Sequence, residues 1–214
     1  MAGVFITFEG PEGCGKSTQV LRVVERLKAE GHDVVTTREP GGTPTGEAIR
    51  GILQHDTAGE AICAETETLL FEASRAQLVR HVIRPALERG AIVICDRFAD
   101  STTAYQGFGR GFDVETLLQL HAFALGGTEP DLSLLLDIEV EEGFRRLQSR
   151  NAKAKTGLDR MERESLEFHQ RVCKGYRTMA QRWPERFRVV DGNQDLVDVH
   201  SEIWELVLKA IHEC

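Results

Sequence analysis

A glycine-rich segment near the start of the chain, GPEGCGKS at residues 10–17, has the spacing of a phosphate-binding loop. It lies between an apolar run that predicts a strand, residues 4–8, and a helical pattern that begins at residue 17. Glycines let backbone N–H groups turn toward phosphate oxygens, and the helix N-terminus adds partial positive charge. Lys16 is expected to reach the β- and γ-phosphates, and the Ser17 hydroxyl to ligate Mg²⁺. The segment predicts a nucleoside-triphosphate site formed by Gly10, Pro11, Glu12, Gly13, Cys14, Gly15, Lys16, Ser17 and Thr18.

An acid and an arginine, Asp96 and Arg97, directly follow another predicted strand, residues 91–95. Side chains at the carboxyl ends of strands lie in the crevice where open α/β sheets bind ligands. Asp96 is therefore a candidate for holding Mg²⁺ and its water, and Arg97 for binding a second anion beside the γ-phosphate. Asp137, at the end of a later strand, is the alternative for the metal. The simpler interpretation of the pair is a salt bridge at the edge of the sheet.

Arg75 stands on a helix face that is otherwise apolar, together with Phe71, Leu78 and Val82. A desolvated guanidinium needs an anionic or carbonyl partner. The Phe71 ring, one turn away, offers a surface on which a nucleobase can stack. The competing interpretation is that Arg75 reaches past an ordinary core phenylalanine to water.

Residues 145–163 carry seven basic residues against two acidic ones, in a chain whose formal charge is −8. Residues 151–157, between two helical patterns, are expected to be flexible. A mobile basic flap of this kind can close over a triphosphate, expel water and stabilise the charge of the transferred group. The alternative is an ordinary solvated run of charge.

Strand and helix patterns alternate along the chain. Strands are predicted at residues 4–8, 34–37, 91–95, 132–138 and 186–190. Helices are predicted at residues 17–30, 66–89 with a kink or break at Pro85, 114–125 after an Asp113 cap, 141–150, 162–181 and 196–211. Apolar strands separated by helices indicate an α/β fold, in which a mostly parallel five-stranded sheet has helices on both faces. We expect one domain over residues 1–214, with a basic lid at about 145–163.

Composition narrows the class of protein. The chain has 214 residues, 26 of them basic and 34 acidic. An acidic balance argues against a broad nucleic-acid or membrane surface, since both partners are polyanionic. No apolar run approaches the ~20 residues of a membrane helix, and no export signal is recognisable, so a cytoplasmic protein is expected. The five cysteines are scattered without a C-x-x-C pair, which favours reduced thiols over zinc or disulfides.

Several motifs together resemble the thymidylate kinases, closely the bacterial kind, and the similarity runs almost end to end. The Asp96-Arg97-Phe98 element, followed by STTAYQG at residues 101–107, is the most specific. The others are FEGPEG from residue 8, TREPGGT from residue 37, residues 71–75, Pro130-Asp131-Leu132 and Asp159-Arg160-Met161-Glu162. The resemblance implies a three-layer fold like that of the P-loop nucleoside monophosphate kinases. It also implies the reaction ATP + dTMP → ADP + dTDP, with Mg²⁺, in a cytoplasmic homodimer.

The same resemblance implies a set of dTMP-binding residues: Glu12, Arg38, Glu39, Pro40, Arg50, Phe71, Arg75, Arg97, Thr102, Tyr105 and Gln106. Phe71 would stack on thymine, and Arg75 would bond its O4 carbonyl. Thr102 and Gln106 would contact the far edge of the base.

For the rest of the acceptor, the resemblance implies that Glu12 bonds the deoxyribose 3′-hydroxyl and that Tyr105 crowds the 2′ position against ribonucleotides. Arg97 would bridge the acceptor phosphate, with Arg38 or Arg50 assisting.

The catalytic residues implied by the resemblance are Lys16, Asp96, Arg97, Arg150 and Arg160. Asp96 and Ser17 would hold the metal, and residues 191–192 would lie near adenine. Some members of the family carry an arginine inside the phosphate loop, where this chain has Glu12, Gly13 and Cys14. That is the pattern in which the lid supplies the arginine, and Arg150 is the first choice for it, with Arg160 second.

A regulatory GTPase is the best hypothesis of another class, because Asp56 to Gly59 matches the D-x-x-G switch sequence. Residues 50–55 do not have a strand pattern that would deliver Asp56 to a γ-phosphate, and the chain has no N-K-x-D guanine motif. A generic ATP-driven binding module is an equally weak alternative. Other nucleoside monophosphate kinases share the mechanism, and they are a closer alternative than either of these.

Overall fold

A computed structural model describes residues 3–55, 59–154 and 157–213, in which strands and helices alternate. The strands are β1 (Val4–Glu9), β2 (Val34–Arg38), β3 (Ile92–Asp96), β4 (Leu132–Asp137) and β5 (Phe187–Asp191). The helices are α1 (Lys16–Ala29), α2 (Pro44–Gln54), α3 (Ala64–Leu78), α4 (Arg84–Glu88), α5 (Ala99–Thr102), α6 (Val114–Leu125), α7 (Val140–Ala154), α8 (Leu166–Arg182) and α9 (Leu196–Glu213). Two π-helical segments, Val79–Ile83 and Thr103–Gly109, complete the described elements.

The five strands form one sheet in the order β2-β3-β1-β4-β5, and every neighbouring pair is parallel. In this register Phe8 of β1 lies opposite Asp96 of β3, and Glu9 lies opposite Leu135 of β4. The carboxyl ends of the strands therefore share one edge, where parallel α/β sheets bind their ligands. The predicted parallel five-stranded sheet is confirmed.

Helices cover both faces because side chains alternate along each buried strand. Ile6 and Phe8 pack in an apolar cluster that includes side chains of α1 and α9. Phe5 faces the other way, into a cluster with Leu78 and with the π-helical segment after α3. A third cluster joins β4 and β5 to α8. The predicted three-layer arrangement is thus confirmed.

The predicted strands agree with the structure to within about a residue, whereas the helices differ in several places. The break expected near Pro85 takes the form of the π-helical turn Val79–Ile83, after which the Arg84 N–H bonds the Val79 carbonyl. Helix α2, capped by the Thr43 hydroxyl, is not predicted, and neither is the helical stretch from Ala99 to Gly109.

The helix predicted at residues 162–181 begins later, at Leu166, after a Ser165 cap. Residues 151–157 are predicted to be a flexible segment between two helices, whereas α7 continues to Ala154. Residues 155 and 156 lie outside the described part of the chain.

None of the described helices is long and apolar enough to span a membrane. Four of the five cysteines are described, and all four are free thiols: Cys14, Cys63, Cys95 and Cys173.

Candidate active site

A cleft of about 670 Å³ opens at the carboxyl edge of the sheet. It is lined by the phosphate loop, the end of β2, the turn after β3, and parts of α2, α3 and α7. The structure brings most predicted site residues together there: Glu12, Gly13, Cys14, Gly15, Lys16, Ser17, Thr18, Arg38, Glu39, Pro40, Arg50, Phe71, Arg75, Asp96, Arg97, Thr102, Tyr105, Gln106 and Arg150. Gly10, Pro11 and Arg160 are not part of its lining.

The phosphate loop is packed so closely that two of its glycines admit no side chain. Gly10 has φ +139°, and a Cβ there would lie 2.5 Å from the Leu136 carbonyl oxygen. Gly13 has φ +73°, and its Cβ would lie 2.2 Å from the carbonyl oxygen of Gly143 in α7. The loop is therefore held between β4 and the start of α7.

Lys16 is buried at the N-terminus of α1 and reaches back over the loop. Its Nζ donates to the carbonyl oxygens of Gly10, at 3.0 Å, and Pro11, at 2.9 Å. The Cys14 Sγ lies 3.3 Å away. The two carbonyl oxygens carry no formal charge, so they leave the ammonium charge of Lys16 available to an anion in the loop.

Ser17 and Asp96 form the oxygen pair that the sequence suggests for a metal. The Ser17 hydroxyl donates to Asp96 Oδ2 at 2.8 Å, which joins the start of α1 to the end of β3. The alternative acid, Asp137, does not line the cleft and accepts from Arg177 Nε at 2.7 Å. Asp96 is therefore the better placed of the two carboxylates.

Arg97 is held in the cleft by Glu12 and Tyr105. Its Nη2 donates to Glu12 Oε1 at 2.5 Å, and the Tyr105 hydroxyl donates to the same oxygen at 2.8 Å. Burial alone would raise the pKa of Glu12, but the charges of Arg97 and Lys16 outweigh it and lower that pKa to about 2. The ion partner of Arg97 is thus Glu12 within the phosphate loop, and not its neighbour Asp96.

Arg75 is almost completely buried among acids. Its Nε and Nη2 donate to Glu39 Oε2, at 3.0 and 2.7 Å, its Nη2 donates to the Thr102 hydroxyl at 2.8 Å, and its Nη1 pairs with Glu72. The expected anionic partner is confirmed, and the interpretation that Arg75 reaches water is wrong. Burial raises the pKa of Glu39 to about 7 although Arg75 opposes that shift. Phe71, one turn earlier, lines the cleft beside this cluster.

Two further arginines, Arg38 and Arg50, line the same cleft. Arg38 Nη2 pairs with Glu47 at 3.0 Å, and Arg50 Nη1 donates to the Pro40 carbonyl oxygen at 2.9 Å. Burial and the positive charge of Arg38 together lower the pKa of Arg50. An anion bound between them would relieve this repulsion, so the pair suits a phosphate group.

Arg150 and Arg160, the two arginines predicted to belong to a lid, have different positions. Arg150, on α7, lines the cleft and pairs with Glu162 at 2.6 Å. Arg160 faces α2 and α3, because its Nε donates to the Leu53 carbonyl oxygen at 2.8 Å and its Nη1 pairs with Glu67. The structure brings Arg150, and not Arg160, to the site. Lys155 lies outside the described residues.

Glu9 has no role in the sequence prediction, but in the structure it holds residues of the cleft wall. It is fully buried at the end of β1, where its Oε1 accepts from the Phe98 N–H at 2.8 Å and its Oε2 from the Ser101 hydroxyl at 2.5 Å. Ser101 and Tyr176 in turn accept from Arg97 Nη1, each at 3.2 Å. Burial, with the charge of Asp100, raises the pKa of Glu9 to about 8. The feature of the sequence that could have indicated Glu9 is a carboxylate at the end of an apolar strand.

The structure does not support the GTPase hypothesis. Residues 50–54 belong to helix α2, so no strand precedes the D-x-x-G sequence. Asp56, Thr57 and Ala58 themselves lie outside the described residues.

Fold and cleft together define a P-loop nucleoside monophosphate kinase. A family model described as Thymidylate kinase matches residues 8–203, and the chain belongs to the thymidylate kinase family. It is therefore an enzyme of nucleotide biosynthesis that acts as a kinase.

Curated relatives match over nearly the whole chain. The thymidylate kinase of Thermomicrobium roseum is 51% identical over 97% of this chain and 95% of its own length. That of Geobacter sulfurreducens is 47% identical over 98% of both chains. The crystal structure of thymidylate kinase from Ehrlichia chaffeensis has a TM-score of 0.76 at 32% identity, covering 97% of this chain and 99% of the other.

Proposed function

We propose that the cleft transfers the γ-phosphoryl group of ATP to dTMP, giving ADP and dTDP. Membership of the thymidylate kinase family supports this reaction. The observation that carries it is a single cleft lined by the phosphate loop at one side and by Phe71 and Arg75 at the other. Two nucleotides fit such a cleft end to end, one with its triphosphate in the loop and the other with its base against Phe71.

The chemistry needs positioning and charge neutralisation more than covalent catalysis. Lys16 binds the transferred phosphoryl group from the loop side. Arg97 binds the acceptor phosphate, assisted by Arg38 or Arg50, so that two mutually repelling anions can approach. Glu12, kept ionised by Arg97 and Lys16, accepts a hydrogen bond from the 3′-hydroxyl of the acceptor.

Ser17 and Asp96 would hold Mg²⁺. Their hydroxyl and carboxylate oxygens, 2.8 Å apart, are of the hard type that this ion prefers. When bound, the ion neutralises charge on the phosphate oxygens. Within the described residues no group of three or more His, Cys, Asp or Glu side chains could hold a metal ion, so the remaining ligands would be phosphates and water.

We further propose that the chain is a cytoplasmic homodimer. A cytoplasmic location is supported by the free thiols among the described cysteines. A homodimer is supported by exposed apolar side chains on two helices that pack together, Leu69 on α3 and Phe123 on α6, with 56% and 84% exposure. Sedimentation velocity on the purified chain measures the oligomeric state.

A coupled assay with ATP and a panel of monophosphates tests the function. We expect dTMP to be the best acceptor by orders of magnitude, dUMP to be poorer, and AMP, CMP and GMP to be nearly inert. Hydrolysis of GTP without any acceptor, as the main activity, would contradict the kinase assignment.

Replacing Arg75 by alanine is expected to raise KM for dTMP at least 10-fold while KM for ATP stays within about 3-fold, because Arg75 lies at the base end of the cleft. The same change leaves Glu39 and Glu72 without their cation, at a cost of about 3–5 kcal/mol in the free energy of unfolding. Steady-state kinetics and thermal unfolding measure the two effects. An unchanged KM for dTMP would remove Arg75 from the acceptor site.

Replacing Arg150 by alanine is expected to lower kcat about 10³-fold, as for arginines that stabilise a transferring phosphoryl group, with little change in KM for ATP. Arg145→Ala on the same helix is the matched control, since Arg145 is exposed and pairs with Glu142. Arg160→Ala should keep most of kcat. If Arg150→Ala turns over normally, another cation of the segment, Arg146 or Lys155, has the catalytic role.

A further inference from the structure

Glu67 is a buried carboxylate on α3, one helical turn before Phe71, which lines the cleft. Gln106 Nε2 donates to its Oε1 at 2.7 Å. Arg110 donates to both of its oxygens at 3.2 Å, and Arg160 pairs with its Oε2. Burial raises the pKa of Glu67, but these donors outweigh it and lower the pKa, so the group is ionised at neutral pH.

An ionised carboxylate can only accept hydrogen bonds. The Gln106 side chain must therefore turn its NH₂ group toward Glu67, and this leaves the amide oxygen on the opposite side. That oxygen, Oε1, is buried and has no hydrogen-bond partner among the described residues, although Gln106 lines the cleft. Gln106, a residue of the cleft wall, thus holds a buried and unsatisfied acceptor, and Glu67 sets its identity as oxygen rather than nitrogen.

A buried acceptor without a partner favours a ligand that brings a donor to it. Thymine carries a hydrogen at N3, whereas cytosine has a lone pair at N3 and an amino group at C4. The oxygen of Gln106 can accept a hydrogen bond from the N3–H of thymine, whereas at N3 of cytosine it would meet a lone pair. An amide turned the other way would reverse this preference.

We propose that Glu67 is a specificity-determining positioning residue, which orients the Gln106 amide so that the cleft selects an acceptor base with an N3–H group and rejects one with an N3 lone pair. The proposal rests on the proposed function, because it needs the acceptor base to lie beside Gln106. Arg160, brought to Glu67 from the lid side, serves with Arg110 to hold the carboxylate in place.

The test compares dTMP with 5-methyl-dCMP, which has the same 5-methyl group and differs only at N3 and C4. Measured kcat and KM for both acceptors give the ratio of their kcat/KM values. For Glu67→Gln we expect this ratio to fall at least 10-fold, with KM for dTMP raised and kcat for dTMP nearly kept, because the amide is free to turn. Glu164→Gln is the matched control: Glu164 pairs with Arg110 at 2.6 Å in the same network, and its loss should leave the ratio unchanged.

Rescue by the conservative variant separates positioning from general stability. Glu67→Asp keeps the charge and should retain more of the discrimination than Glu67→Gln at equal or lower thermal stability. If Glu67→Gln does not fold, the ratio of the two kcat/KM values is measured in Glu67→Asp and in Gln106→Met, which removes the amide. Gln106→Met should lose the discrimination between the two acceptors, and Glu67→Asp should keep part of it. An unchanged ratio in Glu67→Gln, or equal losses with both acceptors, would overturn the proposal. A wild-type chain that does not phosphorylate dTMP would instead overturn the proposed function.

Discussion

Replacing Lys16 by alanine is expected to lower kcat by about 10³-fold, the largest loss that a single loop residue should give. Lys16 is buried at the start of α1, and its ammonium group is held by the carbonyl oxygens of Gly10 and Pro11. No solvent cation can take its place at that point of the loop with the same geometry. Steady-state kinetics with saturating ATP and dTMP measure the loss.

Lys28→Ala is the control for this variant, because Lys28 is an exposed lysine near the end of the same helix. It should retain full activity. Lys16→Arg should not restore kcat, since a planar guanidinium does not reproduce the geometry of the compact ammonium group. A Lys16→Ala enzyme with kcat within a few-fold of the wild type would show that the loop does not bind the transferred phosphoryl group.

Replacing Arg97 by alanine is expected to lower kcat/KM for dTMP by about 10³-fold or more, because the acceptor phosphate loses the cation that offsets its repulsion from ATP. The variant also leaves the Glu12 carboxylate, whose pKa is about 2 in the folded enzyme, without its ion partner. That carboxylate then adds a negative charge next to the two phosphates. Both effects act in the same direction.

A second partly buried arginine, Arg186, separates the effect on stability from the effect on catalysis. Arg186 pairs with Asp100 at 2.6 Å but does not line the cleft. Arg186→Ala should lower Tm to a similar extent as Arg97→Ala and keep most of kcat. If the two variants lost activity in proportion to their loss of Tm, Arg97 would be a structural residue.

The sheet and the phosphate loop could be predicted because their signals are local. Runs such as residues 4–8 and 91–95 are continuously apolar, and the loop is defined by the spacing of its glycines, lysine and serine. Helix α2 was not predicted, although Thr43, Pro44 and Glu47 form a recognisable start, because few of its side chains are apolar and buried. Helix α7 extends past residue 150 because the polar and basic composition there is compatible with a helix as well as with a flexible loop.

Residues of the site were predictable where they follow a strand or a motif, as Asp96 and Arg97 do. Glu67 and Glu72 were not, because an acid on a helix has the sequence pattern of a solvated face until its partners, Arg75 or Gln106, are brought against it by the fold. The lid arginines illustrate the same limit. Arg150 and Arg160 are equivalent as charges along the chain, and only three-dimensional packing directs Arg160 to Leu53 and Glu67.

The close approach of Gly13 to Gly143 has a consequence for how the lid can respond to ATP. A Cβ at Gly143 would lie 2.5 Å from the Glu12 carbonyl oxygen, so loop and helix touch main chain to main chain with no side chain between them. Because no side chain separates the two main chains, any shift of the phosphate loop is passed directly to the first turn of α7, the helix that carries Arg150.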